Sequence, residues 1–292
     1  MSRTSELLTS RIASGIQRRS EGVPWDNSFS LLDTSIPMGR RYLTKTTSHA
    51  RETGGHGGQP TSFTIAFQPI VDVSREHVWG YEALVRGENG ESAASIFAQV
   101  EEPRKHHFDQ ACRQRAIEMA GRLFPDERTR LSVNFLPDHE QVPKAAMRAS
   151  LDAASRAGLR PNQLMFEFTE TGHFGDLGGT ANLVEKYRDL GLLTALDDFG
   201  SGYSGLLRLA GLQPDFLKID MGLVRNISAD KRRQAIVAAV VSLARALDID
   251  LIAEGVETRE ESTALRELGI TLFQGFHYAR PTIGTLPPVM VS

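Results

Sequence analysis

From about residue 61 onward, short apolar runs alternate with longer amphipathic stretches, and this rhythm limits the fold more than any other feature of the chain. The runs have the length of strands and read FTIAFQPIVDV, WGYEALVRG, LSVNFLP, LMFEFTET, LLTALDDFG, FLKID, DLIAEGVET and LFQGFHYARP. Helical spacing separates most of them, as in the apolar stretch AIVAAVVSLARALDI. This order predicts an α/β fold, a (β/α)₈ TIM-type barrel. An open, doubly wound sheet is the structural alternative.

Only SREHV separates the first two runs, which is too short for a helix. This spacing predicts a hairpin, so that the barrel begins irregularly.

Composition restricts the class of protein. Of 292 residues, 40% are hydrophobic and 24% charged, which is typical of a globular protein. No apolar run approaches the ~20 residues that cross a bilayer, and the single cysteine, Cys112, fits a reducing compartment. The net charge of -3 gives no general attraction to nucleic acid or to a membrane. We therefore expect a cytoplasmic protein with neither a nucleic-acid polymer nor a membrane as partner.

Residues 1–60 differ in composition from the rest. They are polar, carry more basic than acidic residues, and close on ETGGHGGQP, which is typical of a linker. We expect residues 1–60 to be a flexible tail and residues 61–292 to be the folded domain. A docking arm for a protein partner is the alternative interpretation of the tail.

Seven of the runs carry a polar side chain at or near their C-terminal end. These side chains are Glu82, Asn134, Glu167, the pair Asp197 and Asp198, Lys218, Glu254 and Gln274. The C-terminal ends of parallel barrel strands converge on one face, where active sites lie. Residues spread over nearly 200 positions would thus meet in one pocket.

Five carboxylates in one partly buried pocket require compensating positive charge. Oxygen ligands without Cys or His favour Mg²⁺ or Mn²⁺ over zinc. The adjacent Asp197 and Asp198 could flank two such ions about 3.5–4 Å apart, the usual arrangement for phosphodiester hydrolysis. Each acid alone could equally be a turn residue or a helix cap, so the prediction depends on the joint pattern.

The same runs closely resemble the EAL family of cyclic di-GMP phosphodiesterases. YEALVRG contains the namesake residues Glu82, Ala83 and Leu84, and FQPIVD, VNF, FEFTET, LDDFGSGYSGL, LKID, AEGVET and QGFHYARP occur in the family's order. The resemblance covers roughly residues 63–283. It implies a modified TIM barrel with one antiparallel strand.

The resemblance also implies roles for residues. The family's ligands for two divalent cations, Mg²⁺ or Mn²⁺, correspond to Glu82, Asn134, Glu167, Asp197, Asp198, Glu254 and Gln274. The catalytic positions are Glu82, Lys218, which orients and activates the attacking water, and Glu254. Substrate contacts correspond to Gln68, Leu84 and Arg86. Supporting positions are Glu170, Ser201, Tyr203, Asp220 and Glu257.

The implied reaction is hydrolysis of cyclic di-GMP to linear pGpG, in a homodimer formed through the loop after DDFG, residues 199–204. Two alternatives remain open at this point. One is a weakly active or inactive EAL domain that binds cyclic di-GMP or a protein partner. The other is a barrel phosphodiesterase for a different substrate, such as a glycerophosphodiester.

Overall fold

The computed structural model describes residues 62–136, 144–169, 184–202 and 205–290. Nine strands form one sheet: β1 Thr64–Asp72, β2 His77–Arg86, β3 Arg130–Asn134, β4 Leu164–Thr169, β5 Leu193–Phe199, β6 Phe216–Ile219, β7 Asp250–Ala253, β8 Leu272–Phe273 and β9 Thr282–Ile283. The predicted tail over residues 1–60 lies outside the described residues, and the domain boundary stays a prediction.

The helices follow the predicted apolar spacing. They are α1 Ala93–Phe97, α2 Lys105–Leu123, α3 Lys144–Ala157, α4 over residues 184–189, α5 Gly205–Leu212, α6 Met221–Val224, α7 Lys231–Ala246 and α8 Arg259–Glu267. Short 3₁₀ turns cover Glu102–Arg104 and Pro161–Gln163. Among these described helices, none is both long and apolar enough to cross a lipid bilayer.

The sheet closes into a barrel through β1. Strands β2 to β8 are neighbours in sequence order and parallel, whereas β1 pairs antiparallel with both β2 and β8. The prediction of a modified TIM barrel with one antiparallel strand is confirmed, and so is the hairpin at its start. The sequence analysis did not predict β9, which adds a two-residue pairing to β1 at Ala66 and Phe67.

Apolar side chains fill the barrel below the strand ends. Trp79 on β2 packs edge-on against Phe216 on β6, with ring centroids 5.0 Å apart. The same buried cluster includes Met165, Ala195 and Ile252. Each of these residues precedes the polar residue of the same strand run, so the polar residues lie next to an apolar layer, where charge interactions are strong.

Candidate metal centre at the barrel mouth

Lys218 stands at the centre of the polar cluster. Its ammonium nitrogen Nζ lies 2.6 Å from Glu254 Oε1, 2.7 Å from Glu167 Oε1, 3.1 Å from Asp197 Oδ1 and 3.7 Å from Glu82 Oε2. The lysine is 0% exposed. Four strands and the residue after β7 thus bring together side chains separated by up to 172 positions in the sequence.

Two amide side chains orient Glu82 on β2. Asn134 Nδ2 donates to Glu82 Oε1 at 3.2 Å, and Gln274 Nε2 donates to Glu82 Oε2 at 2.6 Å. The Gln274 amide also donates to Gln68 Oε1 at 3.2 Å. Glu82 lies within β2, four residues before its end, yet its carboxylate reaches the same cluster as the residues at the ends of the parallel strands.

Asp197 and Asp198 point into one cluster because β5 is irregular at its end. Strand pairing with β6 shifts register between Leu196 and Phe199, and Asp198 has φ 57°. This left-handed conformation is uncommon outside glycine, although Asp tolerates it better than most residues. Carboxylate oxygens of Asp197, Asp198 and Glu254 all lie within 4.8 Å of one another. The bulge therefore allows neighbouring residues, which alternate across a regular strand, to face the same site.

Burial and mutual repulsion shift the protonation equilibria of the cluster. Burial raises the pKa of Asp198 to about 6, with the Asp197 charge as the next cause. Burial also raises the pKa of Glu167, together with Glu82, and the pKa of Glu254, together with Asp197. For Lys218, burial opposes the charged form, but the surrounding carboxylates outweigh it and raise its pKa well above the ordinary value. The lysine is therefore a fixed positive charge.

The donor set fits a hard divalent cation. Every candidate ligand atom is a carboxylate or amide oxygen, as Mg²⁺ and Mn²⁺ prefer. Glu167 Oε2 and Gln274 Oε1 are buried and have no hydrogen-bond partner among the described residues. A buried acceptor without a partner is costly, and a bound cation or its water would satisfy both oxygens.

Two cavities adjoin the cluster. The mouth cavity measures about 270 Å³ and is lined by Gln68, Glu82, Asp198, Asp220, Met221, Arg225, Glu254, Gly255, Glu257, Gln274, Gly275 and Phe276. The side cavity, of about 460 Å³, lies between β2, β3 and α2, and its lining includes Leu84, Asp109, Cys112, Arg113, Asn134 and Phe135. The Glu82–Asn134 hydrogen bond joins the two cavities.

The remaining predicted site residues lie around the cluster or away from it. Asp220 accepts from Gly222 N at 2.8 Å and caps α6, while Glu257 accepts from Arg225 at 2.7 Å. Arg86 donates to its neighbour Val85 O at 2.7 Å and lines neither cavity described above. Ser201 is exposed and donates its backbone N–H to Asp198 O at 3.0 Å. The predicted positions Glu170 and Tyr203 lie outside the described residues.

The sequence analysis missed three residues of this region. Ser132 donates to Glu167 from inside the barrel, and Asp109 with Arg113 forms a buried ion pair on the wall of the side cavity. Ser132 precedes Asn134 by two residues, so the alternation of a strand places it on the same face. That spacing was the available signal. Asp109 and Arg113 are four residues apart on a helix, a spacing that surface ion pairs share.

Comparison with known proteins places this geometry in a family. The EAL domain profile matches residues 59–281. A standalone versatile EAL protein from Vibrio cholerae O395, solved in a c-di-GMP-bound form, aligns with a TM-score of 0.76 and 45% identity, covering 80% of this chain and 98% of that one. Klebsiella pneumoniae BlrP1, in a complex with manganese and cyclic diGMP at pH 6, gives a TM-score of 0.73 at 37% identity, covering 80% of this chain and 58% of BlrP1.

Longer proteins contain the same domain. The blue light- and temperature-regulated antirepressor BluF of Escherichia coli is 30% identical over 225 residues, which is 77% of this chain and 56% of BluF. The cyclic di-GMP phosphodiesterase NbdA of Pseudomonas aeruginosa is 32% identical over 233 residues, which is 74% of this chain but 28% of NbdA. This chain thus spans about half or less of the length of these two relatives. Motifs, barrel and profile agree, and the chain belongs to the EAL domain family.

Proposed function

We propose that the protein is a metal-dependent phosphodiesterase that hydrolyses cyclic di-GMP to linear pGpG. The observation that supports the proposal is the cluster of carboxylates around Lys218. Each predicted metal-ligand residue has a side-chain oxygen atom that could bind a cation. Relatives named as cyclic di-GMP phosphodiesterases support the substrate, NbdA among them.

The residues that would hold two divalent cations are Glu82, Asn134, Glu167, Asp197, Asp198, Glu254 and Gln274. Such ions, when bound, neutralise the charge of a phosphodiester and make a bound water more acidic. Mg²⁺ or Mn²⁺ suits the all-oxygen set, and the manganese complex of BlrP1 supports this assignment.

Lys218 acts as an electrostatic anchor in this proposal. Its ammonium group is in contact with three carboxylates at 3.1 Å or less, and its raised pKa keeps it protonated. It therefore holds the carboxylates in place and offsets their repulsion in the metal-free site. Pre-arranged charge of this kind stabilises the transition state without reorganisation.

The two cavities suit a substrate with two bases. Gln68 lines the mouth cavity and Leu84 the side cavity, as expected for substrate contacts. In the side cavity, Arg113 Nε is buried beside Asp109 and has no hydrogen-bond partner among the residues that the structure describes. An arginine donor matches the O6 and N7 acceptors of guanine, and a carboxylate can accept from its N–H groups.

A second candidate function is binding without turnover, as a cyclic di-GMP receptor or a partner-binding module. This alternative is favoured by the similarity to BluF, because BluF is named as an antirepressor and not as an enzyme. The intact set of oxygen donors favours catalysis.

The homodimer through the loop after DDFG is a further proposal. Leu206 and Leu207, on the first turn of α5 directly after that loop, are 64% and 71% exposed. Neighbouring exposed leucines support a contact surface at this place. Partner docking by residues 1–60 and a cytoplasmic location remain predictions from the sequence.

The test of the function is product analysis. Purified protein is mixed with cyclic di-GMP and either Mg²⁺ or Mn²⁺, and the nucleotides are separated by chromatography. We expect pGpG to form. Chelator and the Glu82→Gln substitution should each abolish its formation, whereas the surface control Glu88→Gln should not. Intact cyclic di-GMP with both metals, together with measurable binding of the nucleotide, would establish the receptor function instead.

A further inference from the structure

Ser132 on β3 lies inside the barrel, directly behind the carboxylate of Glu167. Its hydroxyl donates to Glu167 Oε1 at 2.5 Å, and both residues are 0% exposed. Lys218 Nζ approaches the same oxygen at 2.7 Å. One oxygen of this carboxylate therefore accepts the hydrogen bond of the Ser132 hydroxyl and also forms an ion pair with the Lys218 ammonium group.

The other oxygen of Glu167 receives none. Oε2 is buried and has no hydrogen-bond partner among the described residues. A carboxylate with one saturated and one unsatisfied oxygen is an asymmetric ligand. The Ser132 hydrogen bond and the Lys218 ion pair on Oε1 both resist rotation of the carboxylate about its last side-chain bond, so Oε2 keeps a fixed position.

We propose that Ser132 is a positioning residue of the metal centre, because it holds Glu167 so that only Oε2 is presented to a divalent cation. The inference rests on the proposed metal-dependent function. Hydrogen-bond partners of metal ligands commonly fix ligand orientation in this way. A carboxylate that presents one oxygen leaves more coordination positions for substrate and water than a carboxylate that binds with both.

A second side chain of β3 orients a carboxylate in a similar way. Asn134 is two residues after Ser132 and also faces the barrel interior, where it donates to Glu82 Oε1 at 3.2 Å. Ser132 pairs in register with Met165, and Asn134 with Glu167. A single strand thus orients two carboxylates on its two neighbouring strands, one through each of these side chains.

The test measures metal binding without substrate. Mn²⁺ is titrated into chelator-treated protein, and free Mn²⁺ is followed by electron paramagnetic resonance. We expect Ser132→Ala to weaken Mn²⁺ binding by about 10–100-fold, the usual effect of removing a partner of a metal ligand. Because the loss is one of affinity, excess Mn²⁺ is expected to restore most of kcat, with KM for cyclic di-GMP little changed.

A matched control separates positioning from stability. Ser262 is also buried, and its hydroxyl pairs with the hydroxyl of Tyr278 at 2.7 Å, away from the carboxylates. Ser262→Ala is expected to lower thermal stability yet to bind Mn²⁺ with wild-type affinity. Ser132→Thr retains the hydroxyl and is expected to stay within about threefold of wild type, well inside the range for a lost partner.

The outcomes are distinct. Wild-type Mn²⁺ affinity in Ser132→Ala would overturn the inference while leaving the proposed function intact. An equal loss of Mn²⁺ affinity in Ser132→Ala and Ser262→Ala would do the same. Failure of the wild-type protein to bind Mn²⁺ would overturn the metal-dependent function itself. If Ser132→Ala does not fold, Ser132→Cys takes its place, since a thiol is a much weaker donor, and unchanged affinity in that variant would also overturn the inference.

Discussion

Lys218 Nζ and Glu254 Oε1 lie 2.6 Å apart at the base of the barrel mouth. Their contact joins β6 to the residue after β7 and belongs to a group in which one ammonium faces four carboxylates. The site therefore carries excess negative charge in the absence of a bound cation, and its stability and its metal affinity are linked.

Replacing Lys218 with Met tests this link. Removing one partner of a buried ion pair leaves uncompensated charge, so we expect the metal-free variant to unfold with about 3–5 kcal/mol less free energy than the metal-free wild type. In the presence of Mn²⁺, we expect the variant to lack the proposed phosphodiesterase activity. Urea unfolding with chelator and with Mn²⁺ measures the effect, and Mn²⁺ should recover part of the loss. Lys105→Met is the control, because Lys105 pairs with exposed Glu102, and a surface pair contributes at most about 1 kcal/mol. Equal losses of unfolding free energy in Lys218→Met and Lys105→Met would contradict the prediction.

Asp198 gives a pH dependence with a defined sign. Its folded-state pKa of about 6 lies above the ordinary value, so the folded protein binds this proton more tightly than the unfolded chain. Stability of the metal-free protein should therefore fall as pH rises from about 4 to about 6. Bound metal requires the deprotonated carboxylate, so the difference in Tm between Mn²⁺-loaded and chelated protein should widen with pH. A difference in Tm that stays constant with pH would argue against the raised pKa of Asp198.

Asp198→Asn should stabilise the metal-free protein at neutral pH while weakening metal binding. The substitution removes one like charge beside Asp197, and Asn tolerates the observed φ of 57°. Thermal unfolding in chelator and Mn²⁺ titration measure the two effects separately. A destabilised metal-free variant would show that Asp198 contributes more than repulsion to the fold.

Gly275 supports Gln274 by its lack of a side chain. A Cβ at this position would lie 2.0 Å from Val256 O and 2.4 Å from Val256 N. Gly275→Ala must therefore move backbone, and we expect a loss of about 1–3 kcal/mol together with weaker Mn²⁺ binding as Gln274 shifts from Glu82. At Gly284 a Cβ meets nothing within 4 Å among the described residues, but the backbone has φ 72°. Gly284→Ala should therefore cost stability through backbone strain while leaving Mn²⁺ affinity unchanged. Wild-type Mn²⁺ affinity in Gly275→Ala would show that Gln274 does not contribute to the metal centre.

Leu207→Glu tests the proposed dimer. A charge on the most exposed leucine of α5 should dissociate a dimer formed there, as seen in the mass from light scattering after size exclusion. Ile236→Glu introduces the same charge at an exposed residue of α7 and should leave the mass unchanged. A wild-type protein that is monomeric at all concentrations would refute the proposal directly.

The sequence predicted the barrel because strand-length runs and helical spacing persist through the domain. The hairpin of β1 and β2 was predictable from their short connection, whereas the pairing of β1 with β8 depends on tertiary structure. The ligand positions were predictable because parallel strands align their C-terminal ends. The central place of Lys218 was not evident from periodicity, since a lysine at a strand end usually reaches solvent.

Other features depended on tertiary packing. The pairing of Asp109 with Arg113 looks like an ordinary helix-surface pair until α2 is packed against the barrel. The bulge at Asp198 follows from pairing with β6, which a local pattern of residues does not specify. The two-residue β9 is too short to give a periodic signal.

The barrel closes through a narrow seam. Only two residue pairs join β1 to β8, Val71 with Phe273 and Asp72 with Leu272, and Gln68 meets Gln274 just above them. The first and last strands of the ring thus share the polar cluster with every strand between them. On the ribosome, a nascent chain that has released seven strands still lacks Gln274 and the closed ring. We expect such a chain to lack the proposed activity until Gln274 has emerged and the ring has closed.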